Sequence, residues 1–172
     1  KWNLSRFEDS LGREPHLTLL KEVFNVLIQH LGAAVDDLGR DTAGDATGLS
    51  ARRKPEEAAK EEVDEGLPQA SGGRKEYKDD DGKVTKVVEW FGFKLHLIVD
   101  VKHEVVLSYE VTDTKAGDGE TLPAILSQAQ ENLPAERIKT LAYDKAADSA
   151  DVHELLSGEE ITPLIQMRAM WK

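Results

Sequence analysis

A long alternating segment in the second half of the chain, from Trp90 to Asp100, constrains the fold more than any other feature. Apolar side chains occupy every second position, which predicts one long central strand. The strand has an apolar face made by Phe91, Phe93, Leu95, Leu97 and Val99, and a mixed face made by Gly92, Lys94, His96 and Ile98. Lys94 and His96 share the polar part of the mixed face, where we expect either ordinary sheet surface or contact with a phosphate group.

The elements after this segment alternate between strand and helix. A second apolar run at 105–111 predicts a strand that returns antiparallel to the first. The order continues with a helix capped by Asp118, a strand at 138–143, a helix capped by Ser149 and a last strand at 161–166. An antiparallel hairpin followed by alternating helices and strands predicts an α/β fold, in which helices cover the faces of a mixed sheet.

The first forty residues are expected to be helical. Apolar side chains at a spacing of three and four predict one amphipathic helix over 14–31, with Gly32 as its stop. We assign 1–40 to an N-terminal helical segment, which packs on the domain or belongs to a helical region upstream.

A polar and charge-rich stretch at 51–83 follows the first strand. It carries too little apolar surface to form part of a core, which predicts a flexible insertion. Within it, Asp81-Gly82 predicts a hairpin turn between strands at 76–78 and 84–88. The core of the domain is therefore expected to comprise 41–50 and 84–172.

The charge of the chain limits its partners. A net charge of −11 counts against nucleic-acid binding, because contacts to phosphate supply most non-specific affinity. An acidic catalytic domain can still act on DNA when its carboxylates bind metal ions and local basic clusters contact the phosphates. Arg52 and Arg53 form one such cluster, and Lys94 and Lys145 lie near other motifs. Ordinary solvated surface is the alternative interpretation of each.

Two further absences bound the class of protein. The chain has no cysteine, which excludes disulfides and thiolate metal sites and fits a reducing cytoplasm. No apolar run approaches the roughly eighteen residues of a membrane span, so we expect a soluble, cytoplasmic protein with no membrane contact.

Two aspartates stand in separate strand-like contexts. Asp45 lies in Gly44-Asp45-Ala46-Thr47-Gly48, and Asp144 closes the apolar strand at 138–143. Two carboxylates brought to one edge of a sheet are what a divalent-metal site for phosphoryl transfer requires. The alternative interpretations are a turn or cap residue for Asp45 and a strand-end cap for Asp144.

The motifs around these aspartates resemble the catalytic domain of DDE-type insertion-sequence transposases. In that family a small residue and Thr follow the first aspartate, as in Asp45-Ala46-Thr47. An aromatic-Gly-aromatic-Lys-Leu-His segment comes next, as in Phe91-Gly92-Phe93-Lys94-Leu95-His96. The second aspartate opens an Asp-Lys-Gly-Tyr-Asp-Ser motif, to which Asp144-Lys145-Ala146-Ala147-Asp148-Ser149 corresponds, and an arginine such as Arg168 follows the last strand. This chain has Ala146-Ala147 where the family motif has Gly-Tyr.

The resemblance implies a ribonuclease H-like fold, in which the first strand lies beside the strand that carries the second aspartate. It further implies cleavage and strand transfer of DNA, at transposon ends and target, in a bacterial, nucleoid-associated protein. Asp45 and Asp144 would be the catalytic residues that bind Mg²⁺ or Mn²⁺. Lys94, His96, Lys145, Arg52 and Arg53 would contact the DNA, and two copies would pair in a synaptic complex.

The family's third carboxylate is a glutamate on a helix beyond the last strand, and no counterpart follows before Lys172. Glu154, Glu159 and Glu160 precede that strand, and we interpret them as surface residues. We therefore expect no strand transfer from this chain alone. Two alternatives stay open: a degenerate or domesticated transposase remnant that acts as a non-catalytic binding module, and a ribonuclease H-like nuclease.

Overall fold

The computed structural model of the chain describes residues 2–13, 15–52, 68–79 and 81–166. In chain order the described residues form α1 (Trp2–Leu11), α2 (His16–Ala34), β1 (Asp41–Ser50), β2 (Ser71–Lys78), β3 (Val84–Asp100), β4 (Val106–Thr112), α3 (Asp118–Asn132), β5 (Thr140–Tyr143), α4 (Ala150–Gly158) and β6 (Thr162–Ile165). The predictions for Arg53 and Arg168 concern residues outside these ranges. None of the helices in these ranges is long and apolar enough to cross a membrane.

One mixed sheet organises the domain. Its strand order is β2-β3-β1-β5-β6, and β4 also pairs with β3. The pairs β1–β3, β2–β3 and β3–β4 are antiparallel, whereas β1–β5 and β5–β6 are parallel. The first strand thus lies beside the strand that ends before Asp144, and helices flank the sheet. The predicted α/β, ribonuclease H-like fold is confirmed.

The core forms where α3 packs on the sheet. Four apolar residues of α3 are buried against side chains from the strands and from α4, and they belong to one cluster. The members of the cluster with almost no exposed surface include Ile98, Leu107, Leu122, Ile125, Leu126, Ala129, Leu141 and Leu156. Burial of this many aliphatic side chains is the main contribution to the stability of the fold.

The mixed face of β3, where Lys94 and His96 were expected as sheet surface or a phosphate contact, is the more deeply buried face. His96, Ile98 and Asp100 are buried, whereas the five side chains of the apolar face are only half-buried. The reason is the position of α3, whose apolar stripe packs on Ile98 and therefore covers the mixed face. His96 keeps a partner inside the core, because its Nε2 lies 3.1 Å from Thr112 Oγ1.

Several element boundaries also differ from the sequence predictions. Gly32 lies inside α2 rather than at its end, because a glycine lets the helix approach Leu133 and Pro134 closely. The N-cap of α3 is Gly117 and not Asp118, whereas Ser149 caps α4 as predicted, with its Oγ accepting from Val152 N.

The segment predicted as an insertion is partly built into the sheet. The hairpin turn at Asp81-Gly82 joins β2 and β3 as expected, but β2 begins at Ser71, five residues before the predicted strand. The strands expected at 84–88 and 90–100 form a single strand of 17 residues, β3. Pairing with β3 supplies the hydrogen bonds that a polar segment with few apolar side chains needs to join a sheet.

Candidate active site

The register between β1 and β5 brings the two predicted aspartates together. Asp41 pairs with Thr140, 99 positions later, and Thr140 Oγ1 donates a 2.8 Å hydrogen bond to Asp41 Oδ1. The pairing continues to Ala43 and its partner in β5. Asp45 and Asp144 have the same separation in sequence, so they occupy corresponding positions just beyond the last paired residues. Side chains at matching positions of adjacent parallel strands project to the same side of the sheet.

Local packing holds each aspartate at this end of the sheet. The Tyr143 ring lies directly over Gly44, where a Cβ atom would come within 2.1 Å of Tyr143 Cε2, so only glycine fits beside Asp45. The Asp45 carboxylate accepts a 2.7 Å hydrogen bond from Ala46 N through Oδ1. On the neighbouring strand, the carbonyl oxygen of Asp144 accepts a 3.1 Å hydrogen bond from Ala147 N, which closes one turn of 3₁₀ helix.

The turn after Asp144 forms with the two alanines that depart from the family motif. It spans Lys145–Ala147, and the Ala147 side chain is buried in the core. The motif therefore keeps its path from the strand into α4 without Gly-Tyr.

A cavity of about 490 Å³ opens beside the two aspartates. Asp45 and Asp144 line it together with Lys94 and Asp118, and it extends along β2 and β3 to Trp90. The indole of Trp90 lies across two glycines of the flanking strands, Gly48 and Gly73, where a Cβ atom would come within 2.6 and 2.4 Å of Cε2. These two glycines leave room for the ring to lie against the sheet and form part of the cavity wall.

Lys94, Asp118 and His96 form a partly buried network at the inner end of the cavity. Lys94 Nζ lies 2.6 Å from Asp118 Oδ1 as an ion pair and donates a 2.9 Å hydrogen bond to the carbonyl oxygen of Ala116. His96 Nδ1 lies 3.5 Å from the same carboxylate oxygen. The sequence prediction treated Asp118 only as a helix cap, and nothing in its local sequence distinguishes it from other acids in the first turn of a helix.

The hydrogen bonds define which nitrogen of His96 carries the proton. Thr112 Oγ1 donates its hydrogen to the carbonyl oxygen of Asp113, at 2.9 Å, so it accepts from His96 Nε2. Nδ1 is then unprotonated, and it has no hydrogen-bond partner among the described residues. Burial lowers the pKa of His96, and Lys94 lowers it further, so the ring is neutral at pH 7. The ammonium of Lys94 is therefore the cation that balances Asp118.

Tyr143 adds a neutral polar group beside the carboxylates. Its side chain is buried, and its hydroxyl has no hydrogen-bond partner in the ranges that the structure describes. Burial raises the pKa of this hydroxyl above its ordinary value, and the charges of Asp118, Asp45 and Asp144 raise it further. The phenol is thus uncharged at any physiological pH and adds no negative charge to the acidic end of the cavity.

The predicted DNA-contacting residues fall into different environments. Lys145 and Arg52 are exposed next to Asp144 and after β1, and Lys94 lines the cavity. His96 has no exposed surface, so in this conformation it does not reach a phosphate of DNA. Arg53 lies outside the described residues.

The glutamates considered as a third acid are Glu154, Glu159 and Glu160. All three are exposed on α4 or just after it, and they are not among the residues that line the cavity. In the described part of the chain, no group of three His, Cys, Asp or Glu side chains is close enough to hold a metal ion. The donor set of Asp45 and Asp144 fits Mg²⁺ or Mn²⁺ in type, because both ions bind carboxylate oxygens and complete their shells with water or phosphate oxygens.

Comparisons with known proteins place the chain in a family. Residues 38–171 match the sequence profile of the Transposase DDE domain. No individually curated protein matches the chain significantly. Among solved structures, the Mos1 strand transfer complex is similar at 16% identity over 87% of this chain and 41% of that chain, with a TM-score of 0.42. The Mos1 transposase paired-end complex with left transposon end is similar at 18% identity over 81% and 39%, with a TM-score of 0.40.

The chain spans about two-fifths of the length of the Mos1 chains that it matches. The family match, by contrast, covers all six strands of the described sheet, together with Asp45 and Asp144. The chain therefore belongs to the Transposase DDE domain family.

Proposed function

We propose that this domain is the catalytic core of a DNA transposase, which cleaves DNA at transposon ends and joins it to target DNA. The observation that carries the proposal is the pair Asp45 and Asp144. Asp45 lies on β1 and Asp144 directly follows the adjacent parallel strand β5, at the corresponding position, and both line one cavity. Family membership supports the same conclusion.

Asp45 and Asp144 would hold Mg²⁺ or Mn²⁺, with the scissile phosphate and water completing the shell of the ion. A bound divalent ion stabilises the charge that develops on the phosphate during transfer. The chain fixes both carboxylates at one end of the sheet. It also keeps two buried polar groups, Tyr143 and His96, in their neutral forms. Two carboxylates give only a weak ion site without substrate.

Lys94 is the DNA contact that the geometry favours best. An ammonium has three N–H donors, and two directions are occupied by Asp118 and by the carbonyl oxygen of Ala116. The third would face a phosphate oxygen in the cavity. Lys145 and Arg52 are proposed as outer contacts, and a homodimer in a synaptic complex remains a prediction from the resemblance.

The test of the acid pair combines ion binding with activity. Broadening of amide NMR signals by Mn²⁺ should centre on Asp45 and Asp144 and should disappear in Asp45→Asn and Asp144→Asn. In the complete protein encoded at its locus, either substitution should reduce cleavage by at least about a thousandfold, because phosphoryl transfer depends on electrostatic stabilisation at this point. Glu154→Gln is the matched control, and it should leave both ion binding and cleavage unchanged.

The same measurements separate the alternatives left open by the sequence. A non-catalytic remnant would show DNA binding without cleavage that depends on Asp45. A ribonuclease H-like nuclease would cut RNA–DNA hybrids in preference to transposon-end DNA. Cleavage that persists in Asp45→Asn and Asp144→Asn would reject the proposed acid pair.

A further inference from the structure

The N-terminal half of β3 and all of β2 form a two-stranded ribbon that extends beyond the rest of the sheet. From Val84 to Phe91, β3 pairs with β2, whereas β1 first meets β3 where Ser50 pairs with Gly92. The ribbon begins at the cavity and ends at the turn of Gly82. It therefore extends the surface of the candidate active site away from Asp45 and Asp144.

The two faces of this ribbon differ in charge. Opposite residues of an antiparallel pair share a face, so Lys75 lies with Val88, Tyr77 with Lys86, and Gly73 with Trp90. This face, here called the ribbon face, is defined by Lys75, Tyr77, Lys86, Val88 and Trp90. It contains cations and aromatic rings and has no carboxylate in the paired residues of β2 and β3.

The opposite face has its charges paired. Arg74 lies across from Glu89 and next to Glu76. Its guanidinium contacts Glu76 Oε1 at 2.7 Å and Glu89 Oε1 at 3.7 Å. The cation on this face is thus neutralised within the ribbon, which leaves little attraction for an anionic partner.

The lysines of the ribbon face lie over an aromatic ring. Lys75 Nζ and Lys86 Nζ are each 5.7 Å from the centroid of the Tyr77 ring, which is 45% exposed. Neither lysine forms an ion pair with any residue that the structure describes. The ring holds the two ammonium groups near each other at the surface without neutralising them.

We propose that the ribbon face binds the phosphate backbone of the DNA that leads to the acid pair. The inference rests on the proposed function, because the surface is continuous with the cavity that holds Asp45 and Asp144. The charge argument is that a chain of net charge −11 repels DNA over most of its surface, while this face carries cations without acids.

The dimensions of the ribbon suit such a role. From Lys86 to Lys94 along β3 the distance is about 26 Å, at roughly 3.3 Å per residue, which equals about eight base pairs of duplex. Asp45 pairs with Leu97, beyond Lys94, so the cations along this track would contact phosphates on one side of the acid pair. The contacts are to the backbone, so they add affinity without selecting a sequence.

The experiment measures binding of a short mixed-sequence DNA duplex over a series of salt concentrations. In Lys75→Gln/Lys86→Gln, the slope of log K against log salt should decrease in magnitude by about 2, since each lost phosphate contact removes roughly 0.9. The matched control is Arg40→Gln/Lys139→Gln, which has the same net charge. It removes two exposed cations just before β1 and β5, at the opposite ends of these strands from Asp45 and Asp144. The control should keep the slope of the unmodified chain.

Each outcome decides the inference. Equal slopes and affinities for the two double variants, or no binding of the duplex by the unmodified chain at low salt, would overturn it. Thermal unfolding of every variant excludes a folding defect, which we do not expect because both lysines are exposed. Asp45→Asn/Asp144→Asn keeps the ribbon lysines and should still bind the duplex. A weaker salt dependence of DNA binding in Lys75→Gln/Lys86→Gln would support the ribbon face. If Asp45→Asn/Asp144→Asn still cleaved DNA, the proposed function would be rejected while the inference about the ribbon face would stand.

Discussion

The two halves of β3 show how differently one strand behaves in two surroundings. In the half that ends at Asp100, β3 lies between β1 and β4 under α3, and His96 and Ile98 have no exposed surface. In the half that begins at Val84, β3 pairs with β2, and Val84 and Val87 are 41% and 42% exposed. The exposed half carries valines and the buried half carries a histidine and an aspartate. Burial therefore follows from neighbouring elements more than from residue type.

The largest expected contrast is in core packing. Ile98→Ala should lower the free energy of unfolding by about 2–5 kcal/mol, because it leaves a cavity in a tightly packed cluster. Val87→Ala in the exposed half should lower it by less than about 1 kcal/mol. Denaturant unfolding of both variants measures the contrast. Equal losses would show that the ribbon is packed as tightly as the sheet.

A second contrast concerns two aspartates that each bind backbone N–H groups. Asp100 is buried, and its Oδ2 accepts from Gly39 N at 2.7 Å while its Oδ1 accepts from His103 N at 2.5 Å. Asp100→Asn turns an amide NH₂ toward one of these donors, so we expect a loss of about 2–3 kcal/mol.

The matched variant lies at the end of the ribbon. Asp79 is exposed, and its Oδ1 accepts from Lys83 N at 2.8 Å. Asp79→Asn keeps an acceptor oxygen in a place that water also reaches, so the loss should stay below about 0.5 kcal/mol. A loss for Asp100→Asn no greater than that for Asp79→Asn would show that water replaces the lost acceptor in the buried half as well.

The smallest effect is the pH dependence from His96. Burial lowers its pKa in the folded state below the ordinary value of 6.5. The unfolded chain therefore takes up a proton first as the pH falls, and the stability that neutral His96 contributes above about pH 6.5 is lost below it. His96→Gln should show a shallower loss of unfolding free energy between about pH 7 and pH 5. Titration of the His96 ring at 6.5 or above, followed by NMR, would show that water enters this half of the strand.

Local patterns predicted the elements well. The alternation over 90–100 and the turn residues Asp81-Gly82 depend on neighbouring positions only, and both features are present in the structure. His96 was expected on the surface of the sheet but is buried, because coverage by α3 depends on packing between residues distant in sequence. In the core, His96 Nε2 is satisfied by Thr112 Oγ1 of β4, a contact that the sequence of β3 alone does not contain.

The candidate site shows the same limit. The fold that the motifs imply predicted that the strand of Asp45 lies beside the strand that ends before Asp144. The parallel pairing of β1 with β5 agrees with this prediction. The ion pair between Lys94 and Asp118 had no signal, because an acid at the start of a helix is common for reasons of capping and dipole. The role of the ribbon face depends on which residues lie opposite one another in β2 and β3.

The parallel register of β1 and β5 has a consequence for how the length of this chain can vary. Because side chains alternate along a strand, loss or gain of one residue between Asp41 and Asp45 would turn the first carboxylate to the other side of the sheet. The stretch at 51–70 lies between β1 and β2 in the sequence, so its length can change without moving either aspartate. Homologues should therefore differ freely in the number of residues between the two acids while keeping the spacing within each strand constant.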